Sequence, residues 1–250
     1  MKDNRAIAGR TVLVAGAGGG IGEALCAAMR GAGAARVLRG VRTPTGQADE
    51  LPLDLGDAAS LRTAADRLAG SIDILVNAAG VNAGAGIFDL DALANARREI
   101  DANYFGALAL LHAFAPAMAR RGHGCIVHVV SVLAHVALPA MGSYCASKAA
   151  MHSLTQAARA ELAPRGVRVI GSYPPVVDTR MSAGVTGAKL SPDDVAADVV
   201  RALLAGDDET WPGAAGALHA ALLQDPPAVV RQIGQRLPVD AGVLTSTQAG

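Results

Sequence analysis

Three side chains near the middle of the chain are spaced for proton transfer. Tyr144 and Lys148 are four residues apart, so on a helix they share one face. An ammonium beside a phenol stabilises the phenolate, which predicts a Tyr144 pKa below its usual value of about 10. Ser131 precedes Tyr144 by thirteen residues, enough for a loop to return it to the phenol. Carbonyl reduction needs such a proton donor, but most Tyr–Lys pairs at this spacing are ordinary neighbours on a helix surface.

The sequence elements that must position these side chains alternate between short β-branched runs and longer Ala-rich runs of helical period. Pro52 predicts that the third strand is short. This alternation predicts a doubly wound α/β fold, a parallel sheet with helices on both faces, in one domain over residues 1–250. Strands are predicted at residues 11–15, 36–41, 51–55, 72–76, 125–130 and 167–172, and helices at 23–30, 58–68, 92–120, 144–162 and from 191 onwards.

The composition narrows the class of protein. The 250 residues carry 22 basic and 22 acidic side chains, without a Lys/Arg run of the kind that binds nucleic acid. Apolar stretches are interrupted before they could span a bilayer, and the first ten residues are polar, so we expect neither a membrane span nor a secretion signal. The cysteines, Cys26, Cys125 and Cys145, fit neither a disulfide framework nor a metal site. We therefore expect a cytoplasmic protein without a metal ion.

A glycine cluster follows the first predicted strand directly. Gly16, Gly20 and Gly22 give the pattern GxxxGxG, with Gly18 and Gly19 between them, and a predicted helix follows. Without a Cβ, the backbone can turn tightly and approach a pyrophosphate, while the helix N-terminus presents free N–H groups to the phosphates. A flexible glycine loop is the alternative, but the position between the first strand and the first helix favours a dinucleotide-binding turn.

Together, these motifs resemble those of the short-chain dehydrogenases/reductases of the one-domain type, near 250 residues long. The resemblance extends to about Met181 and implies a Rossmann-like sheet of strand order 3-2-1-4-5-6, with a seventh strand in some members. The matching segments are residues 15–22 for TGxxxGIG (Ala15 for Thr), 77–80 for NNAG (Ala78 for Asn), Asn103 for the catalytic Asn, Ser131, Tyr144 and Lys148 for the catalytic Ser, Tyr and Lys, and 174–179 for PGxVxT (Pro175 for Gly).

The resemblance also implies a role for each site residue. Tyr144 would be the general acid in reduction and the general base in oxidation, while Lys148 would hold the ribose hydroxyls and lower the Tyr144 pKa. Ser131 would donate a hydrogen bond to the substrate oxygen. Asn103 would bend its helix and hold a water that links Lys148 to solvent. The implied cofactor-binding residues are Gly16, Gly18, Gly19, Gly20, Ile21, Arg42, Asp54, Leu55, Asn77, Ala78, Gly80, Tyr144, Lys148, Pro174, Val177 and Thr179.

The end of the second strand indicates which nicotinamide cofactor is used. Enzymes of this type that use NAD(H) carry an acid there, bonded to the ribose 2′-OH. Val41 occupies that position and Arg42 follows it. A guanidinium could clamp the 2′-phosphate of NADP; the alternative is that Arg42 is a solvated loop residue. Arg39 is close by in sequence, but its side chain could point to the other face. We expect NADP(H) rather than NAD(H).

The segment 132–141 is expected to line the substrate pocket between Ser131 and Tyr144. It is largely apolar and contains no Lys or Arg, and we interpret its His135 as a rim residue rather than a catalyst. This composition favours a neutral, lipophilic ketone or secondary alcohol as the substrate. Imine or C=C reduction, epimerisation and non-catalytic cofactor sensing are alternatives that the same residues could serve.

The C-terminal part of the sequence bears on assembly. Residues 234–242 are similar to the closing strand of the family, which would help to build a homodimer or homotetramer. A helical tail over residues 195–232 fits at least as well. Residues 182–189 have the small side chains expected of a lid over a substrate.

Overall fold

A single parallel sheet organises residues 6–235, the part of the chain that the structure, a computed structural model, describes. Its order, β3-β2-β1-β4-β5-β6-β7, confirms the predicted 3-2-1-4-5-6 arrangement and adds a seventh strand. The reversal of strand order between β1 and β4 opens a crevice at their carboxyl ends, where α/β proteins of this kind bind ligands. The strands are β1 Thr11–Ala15, β2 Arg36–Val41, β3 Glu50–Pro52, β4 Ile74–Asn77, β5 Gly124–Val129, β6 Val167–Ser172 and β7 Glu209–Thr210.

Helices cover both faces of the sheet. Side chains alternate along β1: Val12 and Val14 pack with α1 and α6, whereas Leu13 packs with α2, α4 and α5. Both faces of the strands are therefore apolar, as predicted for a doubly wound sheet. The helices are α1 Gly20–Gly31, α2 Ala58–Leu68, α3 Ala92–Ile100, α4 Gly106–Arg121, α5 Gly142–Leu162, α6 Pro192–Ala205, α7 Ala215–Gln224 and α8 Pro226–Gly234.

The long helix predicted over residues 92–120 is interrupted. A π-helical turn, Asp101–Phe105, separates α3 from α4 and contains the buried Asn103. Widened turns of this kind insert one residue into a helix and are frequent at functional sites. The expected bend at Asn103 is therefore present as a change of helical register, while Pro116 lies inside α4.

Two element ends follow from local chemistry. The third strand is short, as predicted: it ends at Pro52 instead of continuing to residue 55, and it lies at the edge of the sheet, where a proline is tolerated. Helix α6 begins as predicted: the Ser191 hydroxyl accepts the Asp194 N–H at 3.0 Å, with Pro192 in the first turn.

The seventh strand lies elsewhere than the sequence suggested. β7 consists of Glu209–Thr210, pairs with β6, and falls within the run predicted as a helical tail. Helices α7 and α8 follow it. Gly234 is the last residue of α8, so the predicted closing strand does not begin there, and residues 236–242 lie outside the described part of the chain. Within that part, no helix is long and apolar enough to cross a membrane.

Candidate active site

The glycine turn between β1 and α1 is closed by contacts that leave no room for side chains at three of its glycines. Gly16 has φ = +80°, and a Cβ there would lie 2.6 Å from the Ala79 nitrogen. A Cβ on Gly22 would overlap the Gly16 carbonyl, and one on Gly20 would lie 2.9 Å from Thr179 Cγ2. The turn therefore brings its bare backbone against the loop after β4 and against Thr179.

A cleft of about 1260 Å³ opens above this turn, at the carboxyl ends of β1, β2 and β4. It has the location and the bare glycine backbone that a dinucleotide needs. Of the predicted cofactor-binding residues, the lining includes Gly16, Gly18, Gly19, Gly20, Ile21, Arg42, Asp54, Leu55, Ala78, Gly80 and Thr179. Its lining does not include Asn77, Tyr144, Lys148, Pro174 or Val177.

Those residues outside the lining occupy positions that shape the site. Asn77 ends β4, and its side-chain oxygen accepts the Ala79 N–H at 3.1 Å. The Pro174 carbonyl accepts the Val132 N–H at 3.1 Å, which ties the segment after β6 to the residue after Ser131. Ala78, which replaces the expected Asn, still joins the central strands through its N–H to the Ala15 carbonyl at 2.9 Å. The side-chain tie is lost, but this backbone tie is kept.

Asn103 connects the cleft wall to the helix of the candidate catalytic pair. Its side-chain oxygen accepts the Val81 N–H at 2.8 Å, and its nitrogen donates to the Val81 carbonyl at 2.9 Å and to Ser147 Oγ at 2.8 Å. Ser147 in turn donates to the Tyr144 carbonyl at 2.7 Å. The buried amide therefore fixes the chain after β4 relative to α5, and so relative to Tyr144.

Tyr144 is buried in the first turn of α5, and its environment differs from the prediction. Burial raises the pKa of Tyr144 above its usual value of 10, and the influence of the Ser131 hydroxyl, which favours the ionised phenol, opposes this only in part. The predicted lowering of this pKa by Lys148 is wrong for the protein alone, because loss of hydration outweighs a cation that is 5.8 Å from the ring centre. The phenol is therefore protonated at neutral pH.

Lys148 lies one turn along α5, on the same face as predicted. The residue is only 4% exposed, and its ammonium donates to the Val129 carbonyl at 3.2 Å. Burial lowers the pKa of Lys148 to about 8. A Cβ on Gly80 would lie 3.4 Å from this ammonium and 3.2 Å from the Asn103 oxygen, so the Gly80 backbone passes directly over both groups.

Two buried charged residues were not among the predicted site residues, although Arg39 was noted with its orientation open. Glu99 precedes Asn103 by one helical turn, is 1% exposed, and accepts the Ala83 N–H at 2.7 Å. Its negative charge further raises the pKa of Tyr144. Arg39 is buried in β2 and lines the cleft. For Arg39, a charge on the same strand face as Val37 and Val41 was the available signal, whereas the charged neighbours of Glu99 in sequence gave none.

Part of the segment 132–141 packs against other helices instead of facing a substrate pocket. Val136, Leu133 and Leu138 form an apolar cluster with α7 and α8, so part of the apolar character expected for a substrate pocket serves to seat these helices. His135 is half-buried, and its ring packs edge-on against His152 and Tyr173, with centroids 4.4 and 5.2 Å away. Burial lowers the pKa of His135 to about 4, so it is a neutral packing residue at pH 7.

Comparison with known proteins assigns the family. A sequence model of the short-chain dehydrogenases matches residues 10–189, which include the glycine turn, Asn103, Ser131, Tyr144 and Lys148. The chain belongs to the short-chain dehydrogenase family. A crystal structure of a short-chain dehydrogenase from Burkholderia cenocepacia, in complex with NADP, is 37% identical, with a TM-score of 0.87 over 91% of this chain and 98% of that chain.

Curated relatives of the chain include further oxidoreductases of the family. An uncharacterized oxidoreductase of Mycobacterium tuberculosis is 32% identical over 80% of this chain and 66% of the relative, so this chain spans about two thirds of that protein's length. A dehydrogenase/reductase SDR family protein 7-like of Anopheles gambiae is 32% identical over 81% of this chain and 74% of the relative. As a member of this family, the chain falls in the class of oxidoreductases.

Proposed function

We propose that this chain is an NADP-dependent oxidoreductase that interconverts a neutral ketone and a secondary alcohol, with Tyr144 as the proton donor and acceptor. The observation that carries the proposal is the buried Tyr144–Lys148 face of α5, held by Asn103 beside a cleft whose floor is bare glycine backbone. The NADP-bound Burkholderia structure, at 37% identity, supports the choice of cofactor. Arg42, exposed at the rim of the cleft, supports it from this chain's own residues.

The residues around the cleft fit such a cofactor. The glycine turn and the first N–H groups of α1 would hold its phosphates, and Thr179, which also lines the cleft, would lie near its nicotinamide. NADPH, when bound, supplies the hydride. Lys148 would donate hydrogen bonds to ribose hydroxyls, which would replace the hydration that its buried ammonium lacks.

The phenol of Tyr144 would protonate the substrate oxygen, and the Ser131 hydroxyl would donate a hydrogen bond to the same oxygen as negative charge develops there. Because burial keeps the phenol protonated at neutral pH, the site is arranged to act as an acid, which favours reduction. Asn103 would hold the water that passes protons between Lys148 and solvent. A neutral, lipophilic substrate is supported by the absence of Lys and Arg between residues 132 and 141.

The test is Tyr144→Phe, with Tyr104→Phe as the matched control on the π-helical turn. We expect Tyr144→Phe to lower kcat by roughly 10²–10⁴-fold while NADPH binding, followed by fluorescence titration, is retained. A Tyr144→Phe protein with substantial turnover would refute the role of the phenol. The substrate panel should contain apolar ketones, imines and activated C=C compounds, because the rival reductases would act on the latter two. Tight NADPH binding without turnover on any of them would favour a cofactor sensor.

The proposal extends to the setting of the enzyme. The cysteines Cys26, Cys125 and Cys145 are all free and buried, which suits the cytoplasm. Exposed apolar side chains on α3, the π-helical turn and α4 (Leu93, Phe105 and Leu108) would suit a homodimer or homotetramer, and light scattering after gel filtration would measure the assembly.

A further inference from the structure

Arg39 is a cation placed inside the apolar layer between β2 and α1. Side chains alternate along β2, so Arg39 shares a face with Val37 and Val41, which both pack into the core beside α1. Arg39 is only 7% exposed. A charge so deeply buried needs partners that offset the lost hydration.

The partners of Arg39 lie at the glycine turn. Its Nη2 donates to the Ala17 carbonyl at 3.3 Å and lies 3.6 Å from Glu23 Oε1, in the first turn of α1. The guanidinium therefore sits directly under the backbone that would face the cofactor. Its Nε is buried without a hydrogen-bond partner among the described residues, so donor capacity is left over.

The charge of Arg39 is only weakly compensated. Glu23 is the carboxylate that pairs with it, and the Glu23 side chain is 60% exposed, so water screens the attraction. Arg39, Glu23 and Arg42 all line the same cleft. Arg39 is buried within β2 and Arg42 is exposed directly after it. The end of β2 is where the ribose 2′ position is expected. An anion entering there would meet two guanidinium groups and the opposing Glu23 carboxylate. The Glu50 carboxylate also lines this part of the cleft, but it accepts the N–H groups of Thr45, Gly46 and Gln47.

We propose that Arg39 is a second specificity-determining residue for the 2′-phosphate of NADP, and that Glu23 competes with this phosphate for the Arg39 guanidinium. The inference rests on the proposed use of NADP and adds to it a buried contact and an internal competitor. On binding, Arg39 would keep its bond to the Ala17 carbonyl and turn its remaining donors from Glu23 towards the phosphate. The two side chains should therefore affect NADP affinity in opposite directions.

The experiment measures dissociation constants of NADPH and NADH for the full chain by fluorescence titration. Arg39→Leu places an apolar side chain in an apolar layer, and we expect it to weaken NADPH binding roughly 10–100-fold while NADH binding is unchanged. Glu23→Gln removes the competing charge, and we expect it to tighten NADPH binding several-fold. The control is Arg36→Leu, an exposed arginine on the same strand that is paired with Asp49 away from the cleft.

The outcomes separate this inference from the function on which it rests. If the unmodified protein binds NADH more tightly than NADPH, the NADP proposal itself fails. If it prefers NADPH and Arg39→Leu weakens both cofactors equally or neither, only the role of Arg39 is refuted. Glu23→Gln changes an exposed helix residue and leaves the fold intact, so it remains informative if Arg39→Leu does not fold. Unchanged or weaker NADPH binding by Glu23→Gln would overturn the competition.

Discussion

Replacing Lys148 with Met should stabilise the fold in the absence of cofactor. Lys148 is 4% exposed, and burial lowers its pKa from the usual 10.5 to about 8. Met has a similar length and no charge, so it fills the same space without the cost of burying an ammonium. The Lys148 ammonium, which the proposed chemistry needs, therefore destabilises the cofactor-free fold.

The magnitude follows from the two pKa values. The native pKa of Lys148 lies well below its usual value, and each pKa unit corresponds to about 1.4 kcal/mol. Charged Lys148 therefore destabilises the native state by about 3 kcal/mol relative to the unfolded chain. The substitution also removes the 3.2 Å hydrogen bond from Lys148 to the Val129 carbonyl, which reduces the gain in stability by about 1 kcal/mol. Below pH 8, where both native and unfolded Lys148 are protonated, Lys148→Met should therefore be the more stable protein by about 2 kcal/mol.

The stability difference between Lys148→Met and the unmodified protein should disappear as the pH rises. Between pH 8 and 10.5 native Lys148 has lost its proton while the unfolded chain still holds it, so the stability of the unmodified protein rises with pH. Near or above pH 10 the penalty is gone, and Lys148→Met should be equal or slightly less stable. Urea unfolding of the cofactor-free protein at pH 6, 8 and 10 measures this, because bound cofactor would stabilise the native state by mass action.

The control and the refuting result are both specific. Lys189→Met changes a lysine that donates to the Ser182 carbonyl near the surface, and it should give no stability gain that disappears with pH. A Lys148→Met protein that is less stable at pH 6, or whose difference from the unmodified protein is the same at pH 6 and pH 10, would show that Lys148 is not a penalised buried charge. Activity of Lys148→Met, expected to be strongly reduced, is measured separately.

Two further predictions concern the glycine turn and the cysteines. Gly22→Ala should abolish cofactor binding or folding, because its Cβ would overlap the Gly16 carbonyl. The control Gly18→Ala places a Cβ 3.7 Å from Val41, and this variant should melt within a few degrees of the unmodified protein. Equal melting temperatures for the two variants would contradict this account of the turn. The native protein should react slowly with an aromatic disulfide reagent at pH 8, and three thiols should react only after denaturation. The reason is that the thiols of Cys26, Cys125 and Cys145 are buried and that burial raises their pKa values. Rapid reaction of a thiol in the native protein would refute this prediction.

The sheet was predictable because local and global signals agreed. Strand β1 is apolar after its first residue, as strands covered on both faces must be, and the bounds of β1 and β2 matched the predictions. The seventh strand was not predictable. Glu209–Thr210 is a two-residue strand, and it forms only because β6 offers an open edge. Its existence depends on tertiary position and not on its own sequence.

The site was predictable in its members and less so in its electrostatics. Spacing placed Tyr144 and Lys148 on one helix face, and the structure has them there. Spacing could not reveal that Glu99 is buried beside them, because the packing of α3 against α5, which covers Glu99, is a tertiary contact. Nor could it show that Arg39 bends under the glycine turn, since alternation along β2 fixes its face but not its partners.

Burial explains why the first expectation about Tyr144 was reversed. Loss of hydration disfavours every charge, so it raises the pKa of the phenol and lowers that of the ammonium at once. The pair is therefore biased towards a neutral phenol beside an amine of reduced basicity, and not towards phenolate and ammonium. A phenolate would form only if further positive charge or hydrogen-bond donors entered the site. A phenol held in its acid form is the state in which Tyr144 can protonate a carbonyl oxygen, so burial, more than the neighbouring lysine, prepares the protein alone for reduction.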